Sequence, residues 1–138
     1  MKLVKITDQN RDAYNSFRQE NLSDYMSRIM PDEKADELYW YYIEDNDEFI
    51  GAVWIEKYDK DDFGKLGIFI ADEKHRHQGI GTQAIEEIIR LSHLPTIILN
   101  VRETNLRALH VYQKCGFQIN RHYTKDNGVS VIEMIKSS

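Results

Sequence analysis

The chain has 138 residues, with 41% hydrophobic and 30% charged content, the profile of one soluble globular domain long enough for a real core. Its apolar runs fall far short of a membrane span and its first residues lack a signal-like apolar stretch, so no membrane partner and a cytoplasmic location are expected. A single cysteine, Cys115, excludes an internal disulfide, five scattered histidines give no metal-ligand spacing, and a net charge of −5 speaks against nucleic acid as a partner.

The charge is unevenly placed. From Asp24 to Glu48 there are nine acidic residues against two basic, and from Lys74 to Lys125 eight basic against three acidic. This suggests a cation-facing half and an anion-binding half, although such runs are by default solvated faces.

In chain order, Leu3 to Ile6 reads as a short first strand. Asp8 is placed to cap a helix through Phe17, with Tyr14 and Phe17 on one face. A second helical piece is expected from Asn21 to Met30, ended by Pro31, and a third short helix from Pro31 to Leu38. Tyr39 to Ile43 and Phe49 to Ile55 are rich in strand formers and flank the turn residues Asp45, Asn46 and Asp47, which predicts a hairpin. A polar link from Tyr58 to Gly64 leads into the apolar strand Leu66 to Ala71.

Arg76-His77-Gln78-Gly79-Ile80-Gly81-Thr82 follows that strand and opens a helix whose apolar residues Ile80, Ala84, Ile85, Ile88 and Ile89 recur at helical spacing. A turn of this kind aims free backbone N–H groups and the positive end of the helix dipole at an anion. Gly79 and Gly81 permit close approach and a positive φ, and Arg76 adds charge at the rim. The stretch reads as a pyrophosphate cradle, while a tight turn packing helix on strand would give the same pattern. It is neither of the common nucleotide motifs, because Ala84 holds the third glycine position and no Gly-Lys-Ser/Thr follows.

After a break at Pro95, Thr96 to Val101 is a strand. A second helix is capped by Asn105 and ended by Gly116, with Ala108, Val111, Tyr112 and Cys115 on one face and Arg107, His110 and Lys114 opposite. The chain closes with a hairpin, Phe117 to Tyr123 and Val129 to Ile135, turned by Asp126-Asn127-Gly128. The whole is α+β: a mixed, mostly antiparallel sheet of about six to seven strands with helices on both faces, the crossover through the cradle helix being parallel.

Two signatures then meet a known family. Arg76-His77-Gln78-Gly79-Ile80-Gly81 resembles the Arg/Gln-x-x-Gly-x-Gly/Ala signature of the GNAT family of N-acetyltransferases. About two dozen residues later, Asn105-x-x-Ala108-x-x-x-Tyr112-x-x-x-Gly116-Phe117 resembles that family's second signature. The likeness covers about Lys65 to the C-terminus, and the N-terminal half matches in layout alone. His77 and Gln78 stand where many members carry other residues, and Ala71 to Lys74 replaces a common proline; neither change removes an N–H donor.

The resemblance implies transfer of an acetyl group from acetyl-CoA to a primary amine of a small molecule or peptide, by direct attack in a ternary complex and without a metal. It implies that the amides of Gln78, Gly79, Ile80, Gly81 and Thr82, with Arg76 and His77 at the rim, hold the CoA pyrophosphate. The strand end Ile68, Phe69, Ile70 and Ala71 would splay from its neighbour, pair with the pantetheine arm and supply an oxyanion donor near Ile70. Asn105 would contact the cofactor, and Tyr112 would protonate the leaving thiolate. Cys115, at a helix C-terminal end, reads as a buried small residue and not as a nucleophile.

For the general base the candidates are Asp72, Glu73, His75, His110 and Glu37. Carboxylates between Asp24 and Glu48, with the aromatic run Tyr39 to Tyr42, suit a cationic acceptor if they line the cleft. Such folds commonly form homodimers. The alternatives are a different acyl donor or acceptor, or a CoA-binding sensor or interaction module without turnover.

Overall fold

Seven strands form one sheet in the computed structural model, which describes residues 1–17, 29–71 and 79–137. They are β1 (Lys2–Lys5), β2 (Glu37–Asp45), β3 (Glu48–Lys57), β4 (Gly64–Ile70), β5 (Thr96–Arg102), β6 (Gln118–Thr124) and β7 (Ser130–Ser137). Their order is β1-β2-β3-β4-β5-β7-β6. Among the described residues every pairing is antiparallel except β4 with β5. The helix α1 (Ile80–Ser92) makes that parallel crossover, and α2 (Leu106–Lys114) follows β5. The α+β reading and the parallel crossover are as expected from the sequence.

The two faces carry separate cores. On one, Ile80, Ala84, Ile85 and Ile88 of α1 pack against Val53, Ile55, Leu66 and Ile70 of the sheet. Burying a side chain of this size contributes about 1.5–3 kcal/mol, so the apolar stripe of α1 holds the crossover in place. On the other face, Tyr14 and Phe17 meet Trp40, Tyr42, Ala52, Trp54 and Phe69 in an aromatic layer. Its rings meet mainly edge to face, with Tyr14 and Phe17 5.5 Å apart and Phe17 and Phe69 5.2 Å apart. The Trp40 indole N–H donates to the Tyr14 hydroxyl at 3.0 Å, so that polar pair is buried and satisfied.

Turns follow their residues. Asn46 (φ 51) and Asp47 (φ 63) both adopt the left-handed region, which matches the twist of the β2–β3 hairpin. Gly128 (φ 86) turns β6 into β7. The Asn105 side chain accepts the Ala108 N–H at 3.2 Å and starts α2, while Lys136 Nζ donates to the Cys115 carbonyl at 2.5 Å beyond its last turn.

Three expectations for the first part of the chain change. The first strand runs one residue earlier than read. The helix expected from Asp8 to Phe17 is a short 3-10 helix, Arg11–Ser16, and Asp8 caps nothing. Asn10 organises its entry, accepting the Thr7 N–H at 2.8 Å and donating to the Lys5 carbonyl at 2.9 Å. With three residues per turn, Tyr14 and Phe17 still fall on one side. The third helix, Pro31 to Leu38, is absent: β2 begins at Glu37, and Asp32 is drawn across to β3, its N–H donating to Glu56 Oε2 at 2.5 Å and its carboxylate accepting the Tyr58 hydroxyl. The second helical piece, Asn21 to Met30, lies outside the described residues except for Ile29 and Met30.

Burial raises the pKa of Tyr14, Tyr42 and Tyr112 above the ordinary tyrosine value, and it does the same for the Cys115 thiol. The native state therefore keeps protons that the unfolded chain releases once pH passes the ordinary values of about 8.5 for thiol and about 10 for phenol. Stability is then present below those values and falls as pH rises through them. Melting temperatures measured from pH 7 to 11 should stay level to about pH 8.5 and drop steeply by pH 11; a flat profile to pH 11 would contradict this burial.

Candidate active site

β4 and β5 pair at only two positions, Gly64 with Ile97 and Lys65 with Ile98. Beyond them the strands part, and a cleft of about 670 Å³ opens between the rest of β4 and Leu99 to Arg102 of β5. On its other edge β4 stays paired to β3 throughout. In an antiparallel pair successive residues turn their N–H and C=O groups to alternate sides. The Ala71 N–H donates to the Ile50 carbonyl at 2.7 Å, so the amides of Ala71 and Phe69 face β3, while those of Ile68 and Ile70 face the cleft. Of the four residues expected along the ligand arm, Ile68, Phe69 and Ile70 line the cleft and Ala71 does not.

The open end of the cleft meets the start of α1. Gly79 has φ 74 and precedes the first helical turn, where Gln83 N–H returns to the Gly79 carbonyl at 3.1 Å. A Cβ at Gly79 would meet nothing within 4 Å, and one at Gly81 only Ile70 Cδ1 at 3.8 Å. Gly79 is thus required for its backbone conformation, and both leave space before the N–H groups of Ile80, Gly81 and Thr82. Ile80 itself is buried against the sheet, so it offers its amide and not its side chain. Arg76, His77 and Gln78 lie outside the described residues.

The opposite wall is α2. Tyr112 lines the cleft, half-buried, with its ring 6.1 Å from Phe117 and edge-on to it. Burial, with a smaller contribution from Cys115, pushes its phenol up to about 12. It is therefore a proton donor at any physiological pH. Asn105 also lines the cleft, its carbonyl oxygen engaged by the Ala108 N–H and its amide nitrogen left to donate. Cys115 is buried; desolvation and the Glu86 charge raise its thiol against a hydrogen bond to Thr82, which leaves it an unreactive packing residue.

The cleft wall also contains residues that the sequence reading passed over. Trp54 sits across β3–β4 from Gly67, and a Cβ on Gly67 would lie 2.2–2.4 Å from Cε2, Cζ2 and Nε1 of the indole. A glycine inside an apolar strand is the signal that marked this close approach. Lys65, Asn100, Arg102 and Tyr123 complete this side, with the Tyr123 hydroxyl donating to Asn100 Oδ1 at 3.1 Å. The described wall carries Lys65, Arg102, Arg107 and Lys125 and no carboxylate or imidazole.

Several named candidates lie elsewhere. Among the described carboxylates between Asp32 and Glu48 none lines the cleft, and most have local partners: Glu33 with Arg11, Asp36 with the Asp59 N–H, Glu37 with the Tyr39 hydroxyl, Glu44 with Lys2. His110 is exposed on the outer face of α2. Asp72, Glu73 and His75 lie outside the described residues. A strand edge turned to the cleft, an open helix N-terminus and a cationic wall together fit a long ligand with peptide-like groups and phosphates, as CoA is.

The fold is that of known acetyltransferases. An acetyltransferase of the GNAT family from Streptococcus pneumoniae superposes with a TM-score of 0.81 at 21% identity, covering 99% of this chain and 98% of that one. A chimera built on the spermidine N-acetyltransferase SpeG from Vibrio cholerae gives 0.79 at 18% identity over 99% and 96%. By sequence, the spermine/spermidine N(1)-acetyltransferase of Bacillus subtilis is 30% identical over 87 residues, 60% of this chain and 49% of the relative, so the chain spans about half the length of the curated relatives it matches. The family model of the acetyltransferase (GNAT) family matches residues 5–117, the greater part of the sequence, and the chain belongs to that family.

Proposed function

We propose that this protein moves an acetyl group from acetyl-CoA to a primary amine of a small molecule or peptide, by direct attack in a ternary complex. The observation that carries the reading is Tyr112, a phenol held protonated on one wall of a cleft whose other wall is the edge of β4 from which β5 has parted. The pantetheine arm lies along that edge as an added strand, on the amide of Ile68. The pyrophosphate rests at the N-terminus of α1, on the amides of Gly79, Ile80, Gly81 and Thr82, with Arg76, His77 and Gln78 beside it and Asn105 donating from α2.

The amine lone pair forms the new C–N bond, and the carbonyl oxygen takes up charge facing the Ile70 N–H. The C–S bond then breaks and the sulfur takes the Tyr112 proton. At about 12 the phenol is a weaker acid than a thiol of ordinary value near ~8.5, so the proton moves as the bond breaks and not before. The amine nitrogen gives its proton to water in this reading; Asp72, Glu73 and His75 lie outside the described residues. The amine acceptors named for the polyamine and aminoglycoside acetyltransferases among the similar proteins support the same chemistry.

A thermal-shift titration tests the cradle. Acetyl-CoA and CoA at about 100 times Kd should stabilise the protein by about 2.7 kcal/mol, a rise of several degrees, and NAD should not. Gly81→Trp should abolish the shift, since Gly81 is helical with room for a side chain and, unlike Gly79, has no positive φ to strain. The absence of any shift at millimolar acetyl-CoA would remove the transferase reading.

Tyr112→Phe separates turnover from binding. General acid catalysis is worth about 10²–10⁴-fold, so kcat should fall at least a hundredfold while the acetyl-CoA shift stays intact. Wild-type turnover in the variant would exclude Tyr112 as the acid. The pH profile tests the water route: kcat/KM for the amine should climb to the acceptor's own value, about 10.4 for a lysine-like amine, without an earlier plateau. A plateau near pH 6.5 would identify an imidazole base instead.

A further inference from the structure

The side of the cleft away from α1 and α2 contains a buried donor that no described residue satisfies. Trp54 is 2% exposed, lines the cleft, and among the described residues its indole N–H has no hydrogen-bond partner. Its direction is fixed by Gly67, since the indole edge bearing Nε1 overhangs that residue and any side chain at position 67 would displace it. Lys65 lies on the same sheet face two residues before Gly67, a diagonal neighbour of Trp54 about 7–8 Å away across the strands. Lys65 also lines the cleft.

Neither group is placed for the phosphates. Lys65 stands where β4 and β5 still pair, about 16 Å along the strand from Ile70 and the cradle beyond it. It also faces away from α1, which packs on Leu66 and Ile70. Glu56, directly opposite Lys65, is buried, accepts the Asp32 N–H and is not part of the cleft wall. What lines the cleft here is an N–H and an ammonium, both able only to donate, while the nearby Glu133 carboxylate is held by Asn120 and Arg121. A cationic acceptor would leave the Trp54 N–H unsatisfied; an oxyanion satisfies both groups.

Resting on the transferase reading above, we infer that Trp54 and Lys65 form an acceptor subsite for a carboxylate, so that the amine substrate is an amino acid or short peptide and not a polyamine. The Trp54 N–H and Lys65 Nζ hold the carboxylate on the β3–β4 side of the cleft, and the amine of the same molecule is presented to the thioester.

The test compares kcat/KM at saturating acetyl-CoA for the standard amino acids and glycyl dipeptides, their C-terminal amides, and spermidine. Carboxylated acceptors should exceed the matched amides at least tenfold. Lys65→Met and Trp54→Phe should raise KM for the carboxylated acceptors about tenfold and erase the preference over amides, with the acetyl-CoA thermal shift unchanged. Binding is read independently from the two indole N–H resonances of ¹⁵N-labelled protein, that of Trp54 being assigned by its loss in Trp54→Phe. It should move saturably with N-acetylated amino acids and dipeptides and stay in place with their amides and with spermidine. Equal or better use of amides or spermidine, or a Trp54 resonance that no carboxylate moves at tens of millimolar, overturns the subsite. Because the acetyl-CoA shift is measured alongside, its loss would instead condemn the transferase reading.

Discussion

The site depends on how little β4 and β5 hold to each other. Two parallel rungs join them at Gly64 and Lys65, and then the pairing ends although both strands continue. A parallel connection needs a long crossover, here α1, whose buried stripe of Ile80, Ala84, Ile85 and Ile88 supplies the cohesion that the missing rungs do not. With β3 paired along the whole of β4 and β7 along the whole of β5, each side of the gap is tied into its own half of the sheet. Backbone amides turned into such a gap must find partners other than the neighbouring strand.

The same strand serves two faces. Leu66, Ile68 and Ile70 turn toward α1 and α2, whereas Lys65, Gly67 and Phe69 turn toward the aromatic layer. The cleft is therefore reached from both sides of the sheet, with Tyr112 and Asn105 on one and Trp54 and Tyr123 on the other. Gly67 is the point at which the sides communicate, since its missing side chain lets the Trp54 indole lie against the strand that borders the gap.

Much of this was legible in the sequence because it is carried by local rules. The second signature gave α2 its limits, since Asn105 caps and Gly116 ends it at φ 95, and the same spacing set Tyr112 on the inner face. What was not legible depends on contacts far apart in the chain. Pro31 to Leu38 contains good helix formers, but Glu56, twenty-four residues beyond Asp32, takes that amide and opens the turn. The acidic stretch suggested a cation site from composition alone, yet Glu33, Asp36, Glu37 and Glu44 have partners that no spacing rule announces. Trp54 reads as ordinary core in the run Ala52-Val53-Trp54-Ile55, and only its register against Gly67 turns it into a wall of the site.

Proton flow follows from the same architecture. On the proposed reading, burial that makes Tyr112 a reluctant acid also keeps it protonated while the acceptor amine is already neutral, so acid and nucleophile are available in one pH range. A carboxylate in the described wall would help the amine lose its proton, but it would also favour the ammonium form and delay the neutral nucleophile to higher pH. The cations Lys65, Arg102, Arg107 and Lys125 do the opposite, lowering the proton affinity of an amine brought among them. On the proposed reading, the donors of the described wall have two uses together: they meet the anionic parts of both substrates, and they favour the neutral form of the acceptor nitrogen.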